Sequence, residues 1–297
     1  MINPVRSKKS KISADLPEAS WTSNGMKKFF KITSTIIIIT LVLFVMPKEA
    51  KAAVAFDQIS EHATNNEQNP SWTHTPVGTP TAVLVQIQKA RANDITSVTY
   101  GGTAMTQLGV EQHSTFTNVE FLFYGLATSI PTGAQTVQIN ADGTEFAQNS
   151  RAITFTGTQT TTALAFSSFQ SEEAGSGTSG TGTLTVTSAT GDLVVDYVNI
   201  STDPGTDKVM TPGANQTELL ETYNGEDNFA TSWEAGGTSV DMTYSWASSA
   251  NTFLHMYAAI NVVQAGVAGV GSTDIGRTLR LFSGFQIKIF NGKLKIY

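Results

Sequence analysis

The sequence predicts an all-β protein whose residues 53–265 form a two-sheet antiparallel β-sandwich. Three observations lead to this fold class. Apolar residues recur with a period of two rather than 3.6. Runs rich in β-branched and aromatic residues are separated, about every 8–15 residues, by clusters of Gly, Pro, Asn, Ser and Thr. No extended amphipathic helical pattern interrupts these runs. Roughly a dozen short strands with turns at this spacing are typical of a sandwich.

The individual strands differ in how many of their faces are apolar. The stretch "SVDMTYSW" (239–246) alternates strictly, which places Trp246 in the core together with Val240, Met242 and Tyr244. Three other stretches are apolar on both faces, and we predict that they are central strands. They are "VEFLFYGL" (119–126), "DLVVDYVNI" (192–200) and "TFLHMYAAINVV" (252–263).

Composition excludes several classes of protein. Hydrophobic residues make up 40% of the chain and charged residues 14%, whereas intrinsic disorder requires low hydrophobicity and high charge. The chain contains no cysteine, which excludes disulfides, thiol catalysis, thiolate metal sites and a lipid-modified N-terminal cysteine. A body of about 200 residues is nevertheless long enough to be stabilised by its core alone.

Charge divides the chain into three regions. Residues 1–52 carry nine Lys or Arg and three Asp or Glu, a net charge of +6. Residues 53–273 carry four basic and twenty acidic residues, a net charge of −16, and residues 274–297 carry five basic residues and one acidic residue, a net charge of +4. A body this acidic repels nucleic acid, so we expect no nucleic-acid partner.

The stretch "MKKFFKITSTIIIITLVLFVMPKEAKA" (26–52) has the layout of a secretory signal peptide. Three lysines precede a mostly apolar run, residues 32–46, that is shorter than the roughly 20 residues needed to span a bilayer. Ala50 and Ala52 supply the cleavage pattern, so we predict cleavage between Ala52 and Ala53 and an extracellular or cell-surface protein whose only membrane segment is the signal peptide. Residues 1–25 do not fit this layout, and we expect them to be untranslated or disordered, with Met26 as the start.

Five stretches of the body together carry a likeness to a known kind of domain. They are "SVTYGGTAMTQLG" (97–109), "VEFLFYGLATSIPTGAQTVQI" (119–139), "RAITFTGTQTTTAL" (151–164), "GTLTVTSATGDLVVDYV" (182–198) and "DMTYSWASSANTFLHMYAAINVV" (241–263). In this order they resemble a jelly-roll-type β-sandwich domain that is common in bacterial secreted and surface proteins of unassigned function. The resemblance implies an extracellular adhesive, carbohydrate-binding-like or structural module.

Aromatic residues and a histidine are the weak candidates for ligand binding. Trp72 and His74 lie two residues apart on a predicted strand and therefore share a face, where they form either a sugar-stacking pair or a packed core pair. Trp233 ends a strand beside a loop and is either a binding residue or a rim residue that closes the sandwich. The four histidines show no metal-ligand spacing.

Asp203 and Asp207 in "STDPGTDK" are the candidate calcium ligands, because clustered carboxylates in β-sandwich loops bind Ca²⁺. Asp is also common in turns for backbone reasons alone, so structural calcium is a possible addition to a protein for which we expect no cofactor. No Gly-x-Ser-x-Gly motif is present and no catalytic residue is predicted. A glycan-active enzyme with paired carboxylates is retained only as the second alternative.

The end of the chain, "LRLFSGFQIKIFNGKLKIY" (279–297), predicts a short β-hairpin or β-repeat after a Gly-rich linker, 266–276. The Asn291-Gly292 turn pairs Ile289 with Leu294 and sets Lys288 opposite Lys295. The preceding turn, if three residues long, pairs Leu279 with Ile289; the alternative is a stack of parallel strands. The other face of this tail (277–297) alternates cationic and aromatic residues: Arg280, Phe282, Lys288, Phe290, Lys295 and Tyr297.

These observations favour a secreted or cell-surface, non-enzymatic sandwich protein with an adhesive or structural role. We expect the tail to dock the protein on an anionic cell-wall polymer, on a membrane surface or on another copy, and three strands with one apolar face are marginal alone. The first alternative is a carbohydrate-binding module with an extracellular glycan as its partner.

Overall fold

The computed structural model describes residues 52–63, 67–90, 94–143, 149–174, 180–202, 206–247, 252–266, 278–280, 286–290 and 293–296. The regular secondary structure of the described residues is almost entirely β-strand, with one short helix, so the predicted all-β class is confirmed. The first nine strands are β1 (Ala55–Ala63), β2 (Ser71–His74), β3 (Ala82–Ala90), β4 (Ile95–Tyr100), β5 (Thr103–Ala104), β6 (Thr106–Gln112), β7 (Val119–Leu126), β8 (Gln135–Ala141) and β9 (Asn149–Thr156).

A single helical turn, α1 (Thr162–Ala165), leads into the second half of the body. Its strands are β10 (Phe166–Ala174), β11 (Thr181–Thr187), β12 (Leu193–Thr202), β13 (Met210–Pro212), β14 (Thr217–Tyr223), β15 (Asp227–Ala235), β16 (Ser239–Trp246) and β17 (Thr252–Val262). The tail adds β18 (Thr278–Arg280), β19 (Gln286–Phe290) and β20 (Lys293–Ile296).

The body contains four antiparallel sheets rather than the two that the sequence predicts. Central sheet 1 has the strand order β1-β9-β3-β7-β6, and outer sheet 1 has the order β2-β8-β4-β5. Central sheet 2 has the order β10-β17-β12-β15-β14, and outer sheet 2 has the order β11-β16-β13. The antiparallel sandwich is therefore confirmed, and it is extended to a stack in the order outer 1, central 1, central 2, outer 2.

Three hydrophobic cores fix this order of layers. One core packs Leu84, Phe121 and Phe155 of central sheet 1 against Tyr197 and Phe229 of central sheet 2. A second lies between central sheet 1 and outer sheet 1, and a third between central sheet 2 and outer sheet 2. Both faces of each central sheet are consequently buried, which explains why several strands of these sheets are apolar on both faces.

The two halves of the body repeat one topology. We call β1–β9 repeat 1 and β10–β17 repeat 2. The central orders β1-β9-β3-β7-β6 and β10-β17-β12-β15-β14 correspond strand by strand, and the outer order β2-β8-β4 corresponds to β11-β16-β13. Such a correspondence across sixteen strands is the structural sign of an internal duplication.

The pairing register repeats as well. Val83 pairs with Leu126 in repeat 1, and Val194 pairs with Glu234 at the corresponding position of repeat 2. The edge strands that correspond, β6 and β14, are bulged at the same place, between Gln107 and Gly109 and between Glu218 and Leu220. These two strands also keep a short sequence likeness, "TQL" (106–108) and "TEL" (217–219), at a spacing of 111 residues.

The predicted strand faces agree with the structure wherever they are described. Val240, Met242, Tyr244 and Trp246 are buried on one face of β16. The stretches predicted as central strands form β7, β12 and β17, all in the central sheets. Trp246 is 6% exposed, so its predicted place in the core is confirmed.

The tail is an antiparallel meander in the order β18-β19-β20, which decides between the two predicted arrangements. Ile289 pairs with Leu294 and Lys288 with Lys295, as the Asn-Gly turn predicts. The first turn differs from the prediction: Leu279 pairs with Ile287 instead of Ile289. The observed register differs from the predicted one by two residues and still leaves an aliphatic residue opposite Leu279.

Candidate functional site

Trp72 and His74 lie on the same face of β2, as predicted, and meet at Ser60 of β1. The Trp72 indole Nε1–H donates to Ser60 Oγ at 3.0 Å, and Ser60 Oγ lies 2.7 Å from His74 Nδ1. On the other side of the ring, His74 Nε2 lies 3.2 Å from Thr154 Oγ1, whose hydroxyl donates to Asp57 Oδ2 at 2.9 Å. The cluster is a relay of hydrogen bonds that joins β2 to β1 and β9.

Each donor in this relay is determined by its neighbours. Thr154 donates to Asp57, so its oxygen accepts the Nε2–H of His74, and Nδ1 is left to accept from Ser60. His74 is fully buried, and burial lowers its pKa to about 4, although Asp57 opposes this shift. The ring is therefore neutral at physiological pH and both nitrogens are occupied, which is the arrangement of a structural histidine.

Trp72 also takes part in an arrangement that reaches the surface. His62 stacks on the Trp72 ring with centroids 5.6 Å apart and planes 9° apart. The His62 Nε2 atom lies 2.6 Å from Glu67 Oε2, and the Glu67 side chain is 41% exposed. This Trp72 patch (His62, Glu67 and Trp72) is where the candidate ligand-binding residues of the body come nearest to solvent.

Trp233, the third candidate, does not lie with the other two. It is half-buried on β15 and packs against the core between the central sheets. The structure therefore brings Trp72 and His74 together and places Trp233 elsewhere. Its role as a binding residue stays a prediction.

The calcium candidates fall at the limit of what is described. Asp207 is exposed, and Asp203 lies outside the described residues. Within the described ranges, no group of three or more His, Cys, Asp or Glu is placed to hold a metal ion. Calcium at Asp203 and Asp207 stays a prediction.

The remaining predicted residues belong to the two ends of the chain. The cleavage-site residues Ala52 and Ala53 are exposed at the start of the described body, and the signal segment before them lies outside it. Arg280, Lys288, Phe290 and Lys295 lie on β18, β19 and β20, whereas Phe282 and Tyr297 lie outside the described residues.

Arg151 is the centre of a buried polar network that sequence patterns did not indicate. It is fully buried on β9, and its Nη2 atom lies 2.9 Å from Glu61 Oε1 on the paired strand. Arg151 also donates to Leu220 O, Thr231 Oγ1 and Phe229 O of repeat 2, at distances of 3.2, 2.7 and 3.1 Å. This guanidinium therefore ties the two repeats together through saturated, charge-assisted hydrogen bonds.

Asp196 is the second buried group that sequence patterns missed. Its carboxylate accepts from Ser232 N at 2.6 Å, Ser232 Oγ at 2.9 Å, Tyr257 Oη at 2.9 Å and Gln216 Nε2 at 3.1 Å. Burial raises its pKa to about 7, and the hydrogen bonds from Ser232 and Tyr257 only partly oppose this shift. In repeat 1 the corresponding position is the apolar Val85, so this network is specific to repeat 2.

The outer faces of the two outer sheets carry hydroxyl and amide groups. On outer sheet 2, exposed positions of β11 and β16 are Thr181, Thr183, Thr185, Thr187, Ser239, Asp241 and Ser245. A shallow depression of about 310 Å³ lies on this sheet between β11, β16 and β13. Its lining is mostly threonine, glycine and serine, with no charged side chain.

No helix among the described residues is both long and apolar enough to cross a membrane. Comparisons with protein-family models, with curated proteins and with solved structures found no match.

Proposed function

We propose that the chain is a secreted or cell-surface, non-enzymatic jelly-roll protein with an adhesive or structural role, docked by its C-terminal tail. The pattern of strand pairing supports the jelly-roll part of this proposal. In repeat 1, β1 pairs with β9, β2 with β8, β3 with β7 and β4 with β5. This nested pairing is what results when an eight-stranded ribbon is wound into two sheets.

The hydrogen bonding of the buried polar groups supports the non-enzymatic part of the proposal. Arg151, His74 and Asp196 are each buried, and each is engaged by hydrogen bonds within the body. A catalytic group needs a free atom that faces a substrate, whereas the polar atoms of these groups form hydrogen bonds that join strands. The outer sheets present hydroxyl-rich faces that are suited to contact with polar polymers, and Asp241 adds a carboxylate on outer sheet 2.

The tail supports the docking part through its charge. Residues 274–297 carry a net charge of +4 beside a body of −16. A basic segment attracts anionic cell-wall polymers and membrane surfaces, and this attraction weakens with salt. An extracellular glycan or cell-wall polymer is therefore the partner that we propose, and self-association through the tail is the alternative.

Deletion of 274–297 tests this proposal. We expect the truncated protein to melt at the temperature of the full chain, because the described cores lie within 53–265. It should move from the cell-associated fraction to the medium. The matched control is a variant of unchanged length in which Gln replaces Lys288 and Lys295. This variant should be released from cells in part, in proportion to the lost charge. A truncated protein that fractionates like the full chain contradicts the docking role.

A carbohydrate-binding module is the second candidate, and the Trp72 patch favours it. The patch combines a partly exposed indole, the His62 ring stacked on it and the Glu67 carboxylate bonded to His62, and so offers an aromatic surface and a hydrogen-bond acceptor for a sugar. On a glycan array we expect His62→Ala and Trp72→Ala each to weaken binding by roughly two- to tenfold, since an aromatic contact contributes about 0.5–1.5 kcal/mol.

Trp233→Ala is the matched control for this experiment, because Trp233 lies away from the Trp72 patch. Equal losses in the Trp72 and Trp233 variants would contradict a site confined to the patch, because these two residues pack against different cores. Binding that all three variants retain would remove the patch from consideration. The glycan-active enzyme stays a third, untested prediction.

A further inference from the structure

The edge strands of the described body are protected from pairing with other strands, with one exception. A free sheet edge presents unpaired N–H and C=O groups, and proteins protect such edges with bulges or with very short strands. All four central edge strands are bulged: β1, β6, β10 and β14. Of the outer edge strands, β2 has four residues, β5 has two and β13 has three.

The exception is β11, the edge strand of outer sheet 2. It is seven residues long and pairs with β16 in an unbroken register from Thr181 opposite Ser245 to Thr187 opposite Ser239. Its sequence, TGTLTVT, contains no charged residue and no proline. The corresponding strand of repeat 1, β2, is short and follows Pro70. None of the devices that protect the other edges is therefore present on β11.

The hydrogen bonds show which backbone groups face the open side. The N–H of Thr183 donates to Glu172 Oε1 at 3.0 Å, so it points away from β16. In an antiparallel pair such outward residues alternate with inward ones, and Thr185 and Thr187 therefore also direct their N–H and C=O groups outward. The described part of the chain supplies no partner for these groups of Thr185 and Thr187.

We propose that β11 pairs antiparallel with β11 of a second copy of this chain, around a two-fold axis at Thr185. This register sets Thr185 opposite Thr185 of the second copy and Thr183 opposite Thr187. All cross-strand pairs on the exposed face are then Thr with Thr, a favourable combination. Leu184 and Val186 point to the buried face of outer sheet 2. The core beneath this sheet in one copy would therefore continue into the same core of the other copy.

A second copy fits this edge better than a charged partner does. The pairing is isologous and closes as a dimer. The strand itself carries no charge, but the Glu172 carboxylate of each copy lies at the open edge beside Thr183, and the acidic bodies also repel each other at a distance. Dimerisation should therefore strengthen as salt screens this repulsion. The incoming strand must replace the bond from Glu172 to Thr183, and a junction this small predicts a weak, concentration-dependent dimer.

Sedimentation equilibrium of the full mature chain, 53–297, over a range of concentrations tests this inference. We expect the wild type to shift from monomer to dimer as concentration rises, more readily at high salt. Thr185→Pro removes an outward N–H and keeps the backbone pairing with β16, and Thr185→Lys places like charges opposite each other at the axis. Both substitutions also remove the hydrogen bond from Thr185 Oγ1 to Asp241 Oδ1 of β16. Both variants should remain monomeric. Thr73→Lys, at an exposed position of β2, is the matched control and should dimerise like the wild type.

Circular dichroism melting shows whether each variant is folded. If Thr185→Pro is unfolded, Thr185→Lys alone serves as the test. A wild type that stays monomeric throughout overturns the inference. Dimerisation that survives both Thr185 substitutions overturns it too, as does dimerisation that is lost only on deletion of 274–297, which would assign the contact to the tail. The inference does not depend on the proposed function, since a monomeric protein can still be cell-associated.

Discussion

Asp196 departs strongly from the ordinary chemistry of a carboxyl group. It is a fully buried carboxylate with a pKa of about 7. Two of its four hydrogen-bond donors belong to Ser232 of β15, one to Tyr257 of β17 and one to Gln216 just before β14, so it joins the strands around the centre of repeat 2. Tyr257 and Tyr244 stack edge to face beside it, with ring centroids 5.9 Å apart.

The raised pKa of Asp196 predicts how stability changes with pH. Between the ordinary Asp pKa of 3.8 and about 7, the folded state binds a proton that the unfolded state has lost. The free energy of unfolding therefore falls as pH rises through this window, by about 1.4 kcal/mol per unit of pKa shift. Asp196→Asn removes this loss, so the variant should gain stability relative to the wild type between pH 4 and pH 7.

Urea denaturation at several pH values measures this effect. Asp241→Asn, at an exposed position of β16, is the matched control and should follow the wild type. His74 acts in the opposite direction, because its pKa of about 4 makes the folded state more stable as pH rises toward 6.5. The comparison must therefore be between variants, and a constant difference between Asp196→Asn and wild type across the window contradicts the account.

Single charged residues inside apolar runs were the signal that sequence reasoning could have used. Asp196 interrupts "LVVDYVNI" (193–200) and Arg151 precedes "AITFT" (152–156). A buried charge is costly unless it is paired, so each of these residues implies a partner elsewhere. The partners themselves were not predictable, because Glu61, Thr231 and Ser232 are brought near by the packing of distant strands.

At the scale of elements, alternation of apolar residues was enough to place the strands. It fixed the buried face of β16 and the central position of β7, β12 and β17. The pattern also contained strands that are apolar on both faces, which a two-sheet sandwich does not explain. In a two-sheet sandwich one face of each strand meets solvent, whereas strands that are apolar on both faces require a core on each side, as the central sheets have.

The register of the tail strands could be predicted only where the sequence specifies the length of the turn between them. The Asn-Gly pair specifies a two-residue turn, and the register that follows, Ile289 opposite Leu294, is observed. No comparable signal exists in "LFSGF" (281–285), and the matching of aliphatic positions alone allows shifts of two residues. The observed pair, Leu279 with Ile287, is one such shift.

At the scale of the whole molecule, the duplication explains why the body has four sheets. Central sheets 1 and 2 bury their inner faces against each other, and polar contacts join the repeats at both sides of this core. On one side Arg151 and Glu61 meet Thr222 and Leu220 of β14, and on the other His113 lies 3.1 Å from Glu173 of β10. Each repeat is thus incomplete without the other.

The duplication was not predicted, because the repeats diverge in sequence while keeping their register. "TQL" and "TEL" are too short to indicate a repeat on their own, and Gly-rich turns of different length interrupt the spacing. Equivalent positions also hold chemically different residues, as Val85 and Asp196 show. Pairing register is preserved by backbone geometry, which tolerates this divergence.

Expression of 53–160 and 161–266 as separate polypeptides tests most directly that the body is one unit built from two repeats around a shared core. Either repeat alone exposes its half of the central core, including Phe121 and Phe123 or Tyr197 and Phe229, and repeat 1 alone leaves Arg151 without its partners from repeat 2. We expect each polypeptide alone to aggregate or self-associate. When mixed or co-expressed, the two should form a one-to-one complex that melts in a single transition. A stable, soluble monomer of either repeat, with a melting temperature equal to that of the full body, would contradict the account.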